Sequence, residues 1–164
     1  MLDISKPVFI TGCSGFIASN LVDYLLNKGY YVIGYDNLST GELSFLDNAK
    51  KSQNFKFINS DILNINDLTY AMKGADFVFH LAAQAIVSTS YKEPVDTITT
   101  NIVGTMNVME ALRKHKEPCI AIMITSDKCY ENVEWIWGYR ESDAMGGHDP
   151  YSASKGAMEL VFSS

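Results

Sequence analysis

Tyr151 and Lys155 have the residue types and the spacing of a proton-transfer pair. Residues four apart on a helix share one face, so the lysine ammonium would lie beside the tyrosine phenol. A neighbouring positive charge lowers a phenol pKa from about 10 toward neutrality, and a phenolate can then remove the proton of an alcohol. Ser126, next to Thr125 at the end of a predicted strand, offers a hydroxyl to the same substrate oxygen. These residues predict oxidation of an alcohol whose carbon gives up a hydride.

A glycine-rich turn near the start of the chain predicts the hydride acceptor. Residues 11–18 read Thr-Gly-Cys-Ser-Gly-Phe-Ile-Ala and lie between a predicted strand and a predicted helix. Gly12 permits the tight turn, Gly15 lets the backbone approach a pyrophosphate, and Ala18 allows close packing of the helix on the strand. The N–H groups at the start of the helix then bind the anion. The segment therefore predicts a dinucleotide site.

Two carboxylates extend this predicted site. Asp36 ends the next predicted strand, 24 positions after Gly12. A carboxylate there accepts hydrogen bonds from the adenosine ribose and repels a 2′-phosphate, and no arginine is near, so NAD is favoured over NADP. Asp61, followed by Ile62, has two interpretations: it meets the adenine edge, or it is a turn or helix-capping residue.

Strands and helices alternate along the chain, which predicts right-handed β–α–β units and a parallel sheet. The predicted strands are residues 8–10, 30–35, 55–58, 77–81 and 120–124. The predicted helices are residues 16–28, 43–50, 66–73, 94–116 and one beginning after Tyr151. The apolar stripe of the 94–116 helix is expected in the core; its members are Ile98, Ile102, Met106, Met109 and Leu112. The length of 164 residues suits one domain, so we predict an α/β fold with a Rossmann-type doubly wound parallel sheet.

Composition narrows the possible partners. The formal net charge is -6 and there is no basic block, which disfavours binding to nucleic acid or to an anionic membrane.

The chain has three cysteines, an odd number, and none of them form a CxxC pattern, so we expect free thiols in a reducing cytoplasm. The three histidines are isolated, so no metal site is expected. The first residues lack the apolar segment of a signal peptide.

These residues resemble the extended short-chain dehydrogenase/reductases that epimerise or dehydrate nucleotide sugars. The resemblance covers essentially the whole chain and rests on residues 11–17, on His-Leu-Ala-Ala-Gln at 80–84, on Thr-Asn-x-x-Gly-Thr at 100–105 and on Tyr-x-x-x-Lys at 151–155. It implies NAD as the cofactor. The residues it implies for NAD are Gly12, Ser14, Gly15, Phe16, Ile17, Asp36, Asn37, Asp61, Ile62, Leu81, Ala82, Ala83, Gln84, Asn101, Thr125, Tyr151 and Lys155.

Three further segments, residues 125–132, 134–141 and 146–151, resemble the CDP-glucose 4,6-dehydratase branch of that family. This resemblance implies CDP-glucose as the substrate and a lyase reaction through transient oxidation at C4. The implied catalytic residues are Ser126, Asp127, Lys128, Tyr151 and Lys155. Asp127 would protonate the departing C6 hydroxyl. Lys128 stands where related dehydratases have the glutamate that removes the C5 proton.

Other segments favour alternatives. Residues 12–20 and 36–41 are closer to UDP-sugar 4-epimerases, so an epimerase of the same fold is one alternative. A non-catalytic NAD- or nucleotide-binding module is another. Family members are considerably longer, so we expect an incomplete, C-terminally truncated Rossmann domain that is inactive alone. The family also implies a homodimer through the fourth helix and the Tyr151 helix.

A long loop at residues 131–150 carries the remaining candidates. Its aromatic cluster has two interpretations, packing onto the domain surface or a lid over the nucleotide sugar. The members of the cluster are Trp135, Ile136, Trp137 and Tyr139. His148, beside two glycines, is interpreted as a loop residue rather than a base.

Overall fold

A five-stranded parallel sheet organises the first part of the chain. The computed structural model describes residues 6–164. The strands are β1 (Val8–Thr11), β2 (Val32–Asp36), β3 (Phe55–Asn59), β4 (Phe77–His80) and β5 (Ile120–Met123). Their order across the sheet is β3-β2-β1-β4-β5, with every pair parallel. This order reverses direction beside β1, as in a doubly wound Rossmann-type sheet, so the predicted fold class is confirmed.

Helices connect these strands. They are α1 (Phe16–Asn27), α2 (Ile65–Ala71), α3 (Val87–Lys92), α4 (Pro94–Ile98), α5 (Gly104–Arg113) and α6 (Pro150–Ser163). A π-helical turn at Thr99–Val103 joins α4 to α5, so the predicted long helix contains an irregular segment. Helix α3 was not predicted. The short helix expected around residues 43–50 consists of two 3₁₀ turns, at Leu43–Leu46 and Ala49–Lys51.

The described chain forms two compact units. The first contains the residues through Ala82 together with Asn107–Ile124, and the second contains Ala83–Met106 together with Thr125–Ser164. The first unit therefore holds the whole sheet with α1 and α2. The second holds α3, α4, the π-helical turn and α6.

The first unit buries apolar side chains on both faces of its sheet. Alternate residues of a strand point to opposite faces, and β1 follows this rule. Val8 and Ile10 join one apolar cluster, which includes residues of α1, while Phe9 joins a second cluster, which includes Leu68 of α2 and Val108 of α5. Helices therefore cover both faces of the sheet. The apolar side chains that they pack against it recur along the sequence with the period of a helix.

The second unit buries a different face of its long helix from the one predicted. Thr97, Asn101 and Thr105 are fully buried, whereas Ile98 and Met106 of the predicted core stripe are 44% and 50% exposed. The expectation that this stripe forms the core is therefore wrong for these two residues. Buried hydrogen bonds made by these polar residues select the face that turns inward.

None of the helices among residues 6–164 has the length and apolar character needed to cross a membrane. The expectation that the chain has no signal peptide depends partly on residues 1–5, which lie outside the described residues.

Candidate functional site

The glycine-rich turn of the first unit is held against the end of β4. Gly12 has φ +70, and a Cβ added to it would lie 2.7 Å from the backbone nitrogen of Ala82. The hydroxyl of Thr11 accepts the N–H groups of Leu81 and Ala82 at 3.2 Å each and shares a 2.7 Å hydrogen bond with Nδ1 of His80. Only glycine fits between these backbones, because any side chain would meet both a disfavoured φ and a steric clash.

The start of α1 has the form of an anion site. Gly15 is the N-cap and supplies no side-chain cap, so the first N–H groups of the helix lack that partner. Phe16 and Ile17 are 74% and 68% exposed, which leaves this end of the helix open to a ligand. The hydroxyl of Ser14 is buried and has no hydrogen-bond partner among residues 6–164. An uncapped helix start behind a turn that begins and ends with glycine fits the pyrophosphate of a dinucleotide.

Asp36 is fixed at the end of β2. It is 7% exposed, and its two carboxylate oxygens accept the N–H groups of Ser14 at 3.0 Å and of Leu38 at 2.7 Å. Leu38 adopts a positive φ of 61, which a leucine takes up only under such constraint. The glycine-rich turn and the predicted ribose carboxylate are therefore brought together within the first unit.

Asp61 makes turn contacts. Its carboxylate accepts the N–H of Leu63 at 2.8 Å and a hydrogen bond from the Asn37 amide at 2.7 Å. Ile62 is buried, and its carbonyl accepts a hydrogen bond from the Asn107 amide at 2.9 Å. Of the two interpretations of Asp61, the structure contains the turn; contact of Asp61 and Ile62 with adenine stays a prediction.

In the second unit, α6 carries the predicted proton-transfer pair. Tyr151 and Lys155 are 9% and 4% exposed, and Nζ of Lys155 lies 5.9 Å from the centre of the Tyr151 ring. Burial lowers the pKa of Lys155 to about 8, while the charge of Glu159 acts in the opposite direction. Asp149 is the N-cap of this helix, and its side chain accepts the N–H of Ser152 at 2.9 Å. The cap thus sets where Tyr151 enters the helix.

Glu159 is a residue of this site that the sequence analysis missed. The hydroxyl of Thr125, which follows β5, donates a hydrogen bond to Oε1 of Glu159. Glu159 also lies four residues after Lys155 on α6. That helical spacing was a usable signal, since residues four apart share one face. The predicted contact of Thr125 with NAD stays a prediction.

The polar residues that follow β5 are connected to one another. The Ser126 hydroxyl donates to Oδ1 of Asp127 at 3.0 Å and accepts the N–H of Lys128 at 3.2 Å. Asp127 and Lys128 are both exposed. The three side chains therefore stand at one 3₁₀ turn, with the acid and the ammonium free to meet a ligand.

A buried polar network supports α6. Oδ1 of Asn101, in the π-helical turn, accepts the N–H of Gln84 at 2.8 Å, and its amide donates to the Gln84 carbonyl at 3.1 Å and to the Ser154 hydroxyl at 2.8 Å. Ser154 donates in turn to the carbonyl of Tyr151 at 2.6 Å. Ser154 was not predicted, because nothing in its local sequence pattern indicates a partner 53 residues away. The roles of Ala83, Gln84 and Asn101 in binding NAD stay predictions.

The aromatic cluster of the long loop is not packed onto a surface at its tip. Ile136 and Trp137 are 89% and 70% exposed. The ring contacts of the loop are internal: Tyr130 stacks on Tyr139, and Trp135 lies 5.7 Å from Tyr139. His148 is exposed, as expected for a loop residue. No group of three or more histidine, cysteine or acidic side chains within residues 6–164 could hold a metal ion.

Comparison with known proteins identifies a family. A family model described as GDP-mannose 4,6 dehydratase matches residues 9–164. The CDP-glucose 4,6-dehydratase of Salmonella typhimurium is 40% identical over 160 residues, which cover 96% of this chain and 45% of that protein. The chain spans about half the length of the curated relatives it matches.

Solved structures agree with this similarity. The dTDP-glucose 4,6-dehydratase of Streptomyces venezuelae, solved with NAD bound, superposes with a TM-score of 0.88 at 26% identity and covers 94% of this chain and 50% of that one. A UDP-glucose 4-epimerase of Thermotoga maritima, solved with UDP-glucose, gives a TM-score of 0.83 at 30% identity, with 96% and 50% covered.

Proposed function

We propose, from the premise that this chain belongs to the GDP-mannose 4,6 dehydratase family, that it is the NAD-binding portion of a nucleotide-sugar 4,6-dehydratase acting on CDP-glucose. The observation that carries the proposal is the buried pair of Tyr151 and Lys155, in which Nζ of Lys155 lies 5.9 Å from the centre of the Tyr151 ring. The same unit also holds Ser126 and Asp127, which are joined by a hydrogen bond. A dehydratase needs one group to take a hydroxyl proton and another to protonate the departing hydroxyl. The 40% identity to the Salmonella typhimurium enzyme supports CDP-glucose as the substrate.

The first unit fits NAD. Gly12 leaves no side chain where its Cβ would meet Ala82, and α1 begins without a side-chain cap, as a pyrophosphate site requires. Asp36 would accept hydrogen bonds from the adenosine ribose. When bound, NAD supplies an acceptor for the C4 hydride and later returns it. The NAD bound in the Streptomyces venezuelae structure supports this assignment.

The second unit would supply the proton transfers. The Lys155 ammonium would stabilise the Tyr151 phenolate, which takes the proton of the C4 hydroxyl and becomes a phenol. Ser126 donates a hydrogen bond to the C4 oxygen. After oxidation the C5 proton is acidic, and an unprotonated Lys128 amine would take it. A protonated Asp127 would give its proton to the C6 hydroxyl, which leaves as water. The hydride taken from C4 then adds to C6, and the proton held by Lys128 returns to C5.

We propose that the 164-residue chain alone binds NAD weakly and does not turn over sugar nucleotides. Its relatives are about twice its length, and chemistry requires the sugar to be held in attack geometry, where misplacement costs on the order of a hundredfold in rate. Incubating the purified chain with NAD and CDP-glucose should therefore yield no 4-keto product.

A UDP-sugar 4-epimerase is the second candidate. The observation in its favour is the similarity to the Thermotoga maritima 4-epimerase at 30% identity. An epimerase would use the same Tyr151 and NAD but no elimination, so Asp127 would have no proton to deliver. This difference separates the two candidates experimentally.

The decisive experiment uses the whole protein that contains this chain. Tyr151→Phe should reduce C4 oxidation by orders of magnitude with NAD binding little changed. Asp127→Asn should spare oxidation and impair elimination, so absorbance of reduced nicotinamide should accumulate with CDP-glucose. Asp47→Asn, an exposed acid of the first unit, is the control. Unchanged formation of the 4-keto-6-deoxy product by Asp127→Asn would rule out Asp127 as the acid, whereas a C4 epimer in place of that product from the unaltered protein would favour the epimerase.

We also propose a homodimer and a cytoplasmic location. The second unit exposes Val95, Ile98 and Met106 along its long helix, and an exposed apolar stripe favours association with another copy. Size-exclusion chromatography of Ile98→Glu should then show a shift toward monomer.

The proposed cytoplasmic location is supported by three free cysteines, which suit a reducing compartment.

A further inference from the structure

Thr11 and His80 form a buried pair at the base of the glycine-rich turn. They lie opposite each other on the paired strands β1 and β4, and their exposed fractions are 0% and 1%. Oγ1 of Thr11 lies 2.7 Å from Nδ1 of His80. The same oxygen accepts the N–H groups of Leu81 and Ala82 at 3.2 Å each. Three polar groups of the first unit therefore converge on one hydroxyl.

The number of these contacts decides which atom carries each proton. A hydroxyl group accepts through two lone pairs and donates one hydrogen. The N–H groups of Leu81 and Ala82 occupy both lone pairs of the Thr11 oxygen, so the hydroxyl hydrogen must point to Nδ1 of His80. That nitrogen is then an acceptor, and the proton of the neutral imidazole is on Nε2.

An imidazolium ring would not fit this arrangement. Both of its nitrogens carry hydrogen, so Nδ1 of His80 would become a third donor directed at the Thr11 oxygen. Because that oxygen has only two lone pairs, one of the three contacts would be lost. A neutral His80 is thus what allows Thr11 to hold two backbone N–H groups at once.

His115, in the same unit, has the opposite arrangement. Its Nε2 accepts the N–H of Gly74 at 3.1 Å, and its Nδ1 lies 2.9 Å from the carbonyl oxygen of Glu117. A carbonyl oxygen can only accept, so the proton of this ring is on Nδ1. The two histidines therefore carry their protons on different ring nitrogens, which provides an internal reference for an experiment.

The backbone that Thr11 holds is the one that the glycine-rich turn packs against. A Cβ on Gly12 would lie 2.7 Å from the nitrogen and 2.8 Å from the Cα of Ala82, so the two backbones are in direct contact. A displacement of residues 81–82 would therefore displace the turn. Leu81 and Ala82 are also among the residues that the family resemblance implies for NAD. The placement of this backbone thus affects two parts of the dinucleotide site.

We propose that His80, as the neutral imidazole with its proton on Nε2, is a positioning residue of the NAD site. By accepting the Thr11 hydroxyl, it directs both lone pairs of Thr11 to the backbone of Leu81 and Ala82. Without an acceptor at this position, the hydroxyl would turn its hydrogen elsewhere and its lone pairs away from the two N–H groups. The inference rests on the proposed function and adds which side chain determines the placement of this backbone.

Nitrogen NMR of the 164-residue chain with isotope-labelled histidine tests the proton assignment. At neutral pH, Nδ1 of His80 should show the chemical shift of a nitrogen without a proton, and Nε2 that of an N–H group. His115 should show the reverse. His80→Asn removes one set of signals and so identifies it. A proton on Nδ1 of His80, in a neutral or a charged ring, would overturn the inference.

Calorimetric titration with NAD tests the positioning. Thr11→Val keeps the shape of the side chain and removes the hydroxyl, and it should weaken NAD binding about tenfold, as the loss of a group that orients a binding element does. Thr11→Ser, which keeps the hydroxyl, should bind NAD within about twofold of the unaltered chain. Thr69→Val is the matched control, since it removes a hydroxyl that donates to the Ile65 carbonyl on α2, and it should have no effect.

Two substitutions of His80 test the acceptor itself. His80→Leu should weaken NAD binding as much as Thr11→Val does. His80→Asn, whose amide oxygen can accept near the position of Nδ1, should bind NAD more tightly than His80→Leu. Leu81 keeps a second acceptor, the Thr11 carbonyl at 3.2 Å, so we expect these variants to fold. Urea unfolding of each variant gives the folded fraction to which its dissociation constant is referred.

The outcomes separate this inference from the proposed function. A merely structural role would lower the free energy of unfolding and leave the dissociation constant of the folded chain unchanged, and that result would overturn the inference. So would equal NAD affinity of His80→Leu and the unaltered chain. Failure of the unaltered chain to bind NAD counts against the proposed function instead, while the imidazole spectrum, recorded without NAD, still decides the proton assignment.

Discussion

The two units of this protein differ in the side chains that they mostly bury, apolar in the first and polar in the second. In the first, Phe9, Ile10 and Val78 are completely buried among other apolar residues. In the second, Asn101 and Ser154 are buried to the same degree, and Lys155 is only 4% exposed. Apolar burial is non-directional and contributes about 25 cal/mol per Å². A buried polar group stabilises the fold only when its hydrogen bonds are satisfied.

This contrast indicates where each unit is fragile. The first unit should tolerate the replacement of one apolar side chain by another of similar volume, and should lose stability where two backbone segments touch, as at Gly12. The second unit should lose stability when one member of its polar network is removed, since the remaining partners stay buried without hydrogen bonds.

Gly12→Ala should destabilise the chain by about 4 kcal/mol, because the new Cβ would lie 2.7 Å from the backbone of Ala82 at a φ of +70. Gly29→Ala is the matched control, with φ +86 and no atom within 4 Å of its Cβ. It should cost only the conformational penalty, about 1 kcal/mol. Urea unfolding measures both. Equal losses would show that φ, and not the contact between backbones, makes Gly12 necessary.

Asn101→Ala should cost about 3 kcal/mol, since it leaves Gln84 and Ser154 without their hydrogen bonds. Asn107→Ala, which removes one half-buried hydrogen bond to Ile62 in the first unit, should cost about 1 kcal/mol. A double-mutant cycle of Asn101→Ala with Ser154→Ala should reveal coupling. Additive effects of the two substitutions would contradict a connected network.

The free energy of unfolding should rise with pH above pH 8 because of Lys155. Below pH 8 the residue is protonated in both the folded and the unfolded chain, so the folded chain bears the full free-energy cost of burying the ammonium. Between pH 8 and the ordinary value of 10.5 only the folded chain has released the proton, so stability rises by up to on the order of 3 kcal/mol.

Lys155→Met supplies the reference for that profile, because all other titrating groups remain. The difference in unfolding free energy between the two chains, measured by urea titration at each pH, should change across this window. A constant difference would mean that Lys155 keeps an ordinary pKa. Glu159→Gln should move the midpoint to lower pH, since the Glu159 charge favours the ammonium.

NAD should bind at least tenfold more tightly than NADP, a difference of about 1.4 kcal/mol. The fixed carboxylate of Asp36 would accept ribose hydroxyls and repel a 2′-phosphate. Asp36→Ala should remove most of the preference, whereas Asp61→Ala, at a turn, should retain it. Calorimetric titration of both dinucleotides provides the measurement. Equal affinities for the unaltered chain would rule out the role of Asp36.

The glycine-rich turn and the parallel sheet could be predicted because their determinants are local. Strand β1 was expected at residues 8–10 and is Val8–Thr11, since a short β-branched run between turn residues is enough to indicate a buried strand. Gly29 and Gly74 follow α1 and α2 with positive φ, as helix-terminating glycines do. The boundaries of the predicted elements differ from the observed ones by one to three residues, as is usual where element ends fray.

The position of Tyr151 relative to Lys155 was likewise determined by the sequence, because a spacing of four on a helix fixes a shared face. The tertiary structure alone decided which face of the 94–113 helical run turns inward. Its apolar stripe favoured Ile98 and Met106, but Asn101 finds buried partners at residues 84 and 154. Local periodicity carries no information about partners so far apart in the chain. Leaving a buried amide without its hydrogen-bond partner would cost more free energy than burying the Met106 side chain would gain.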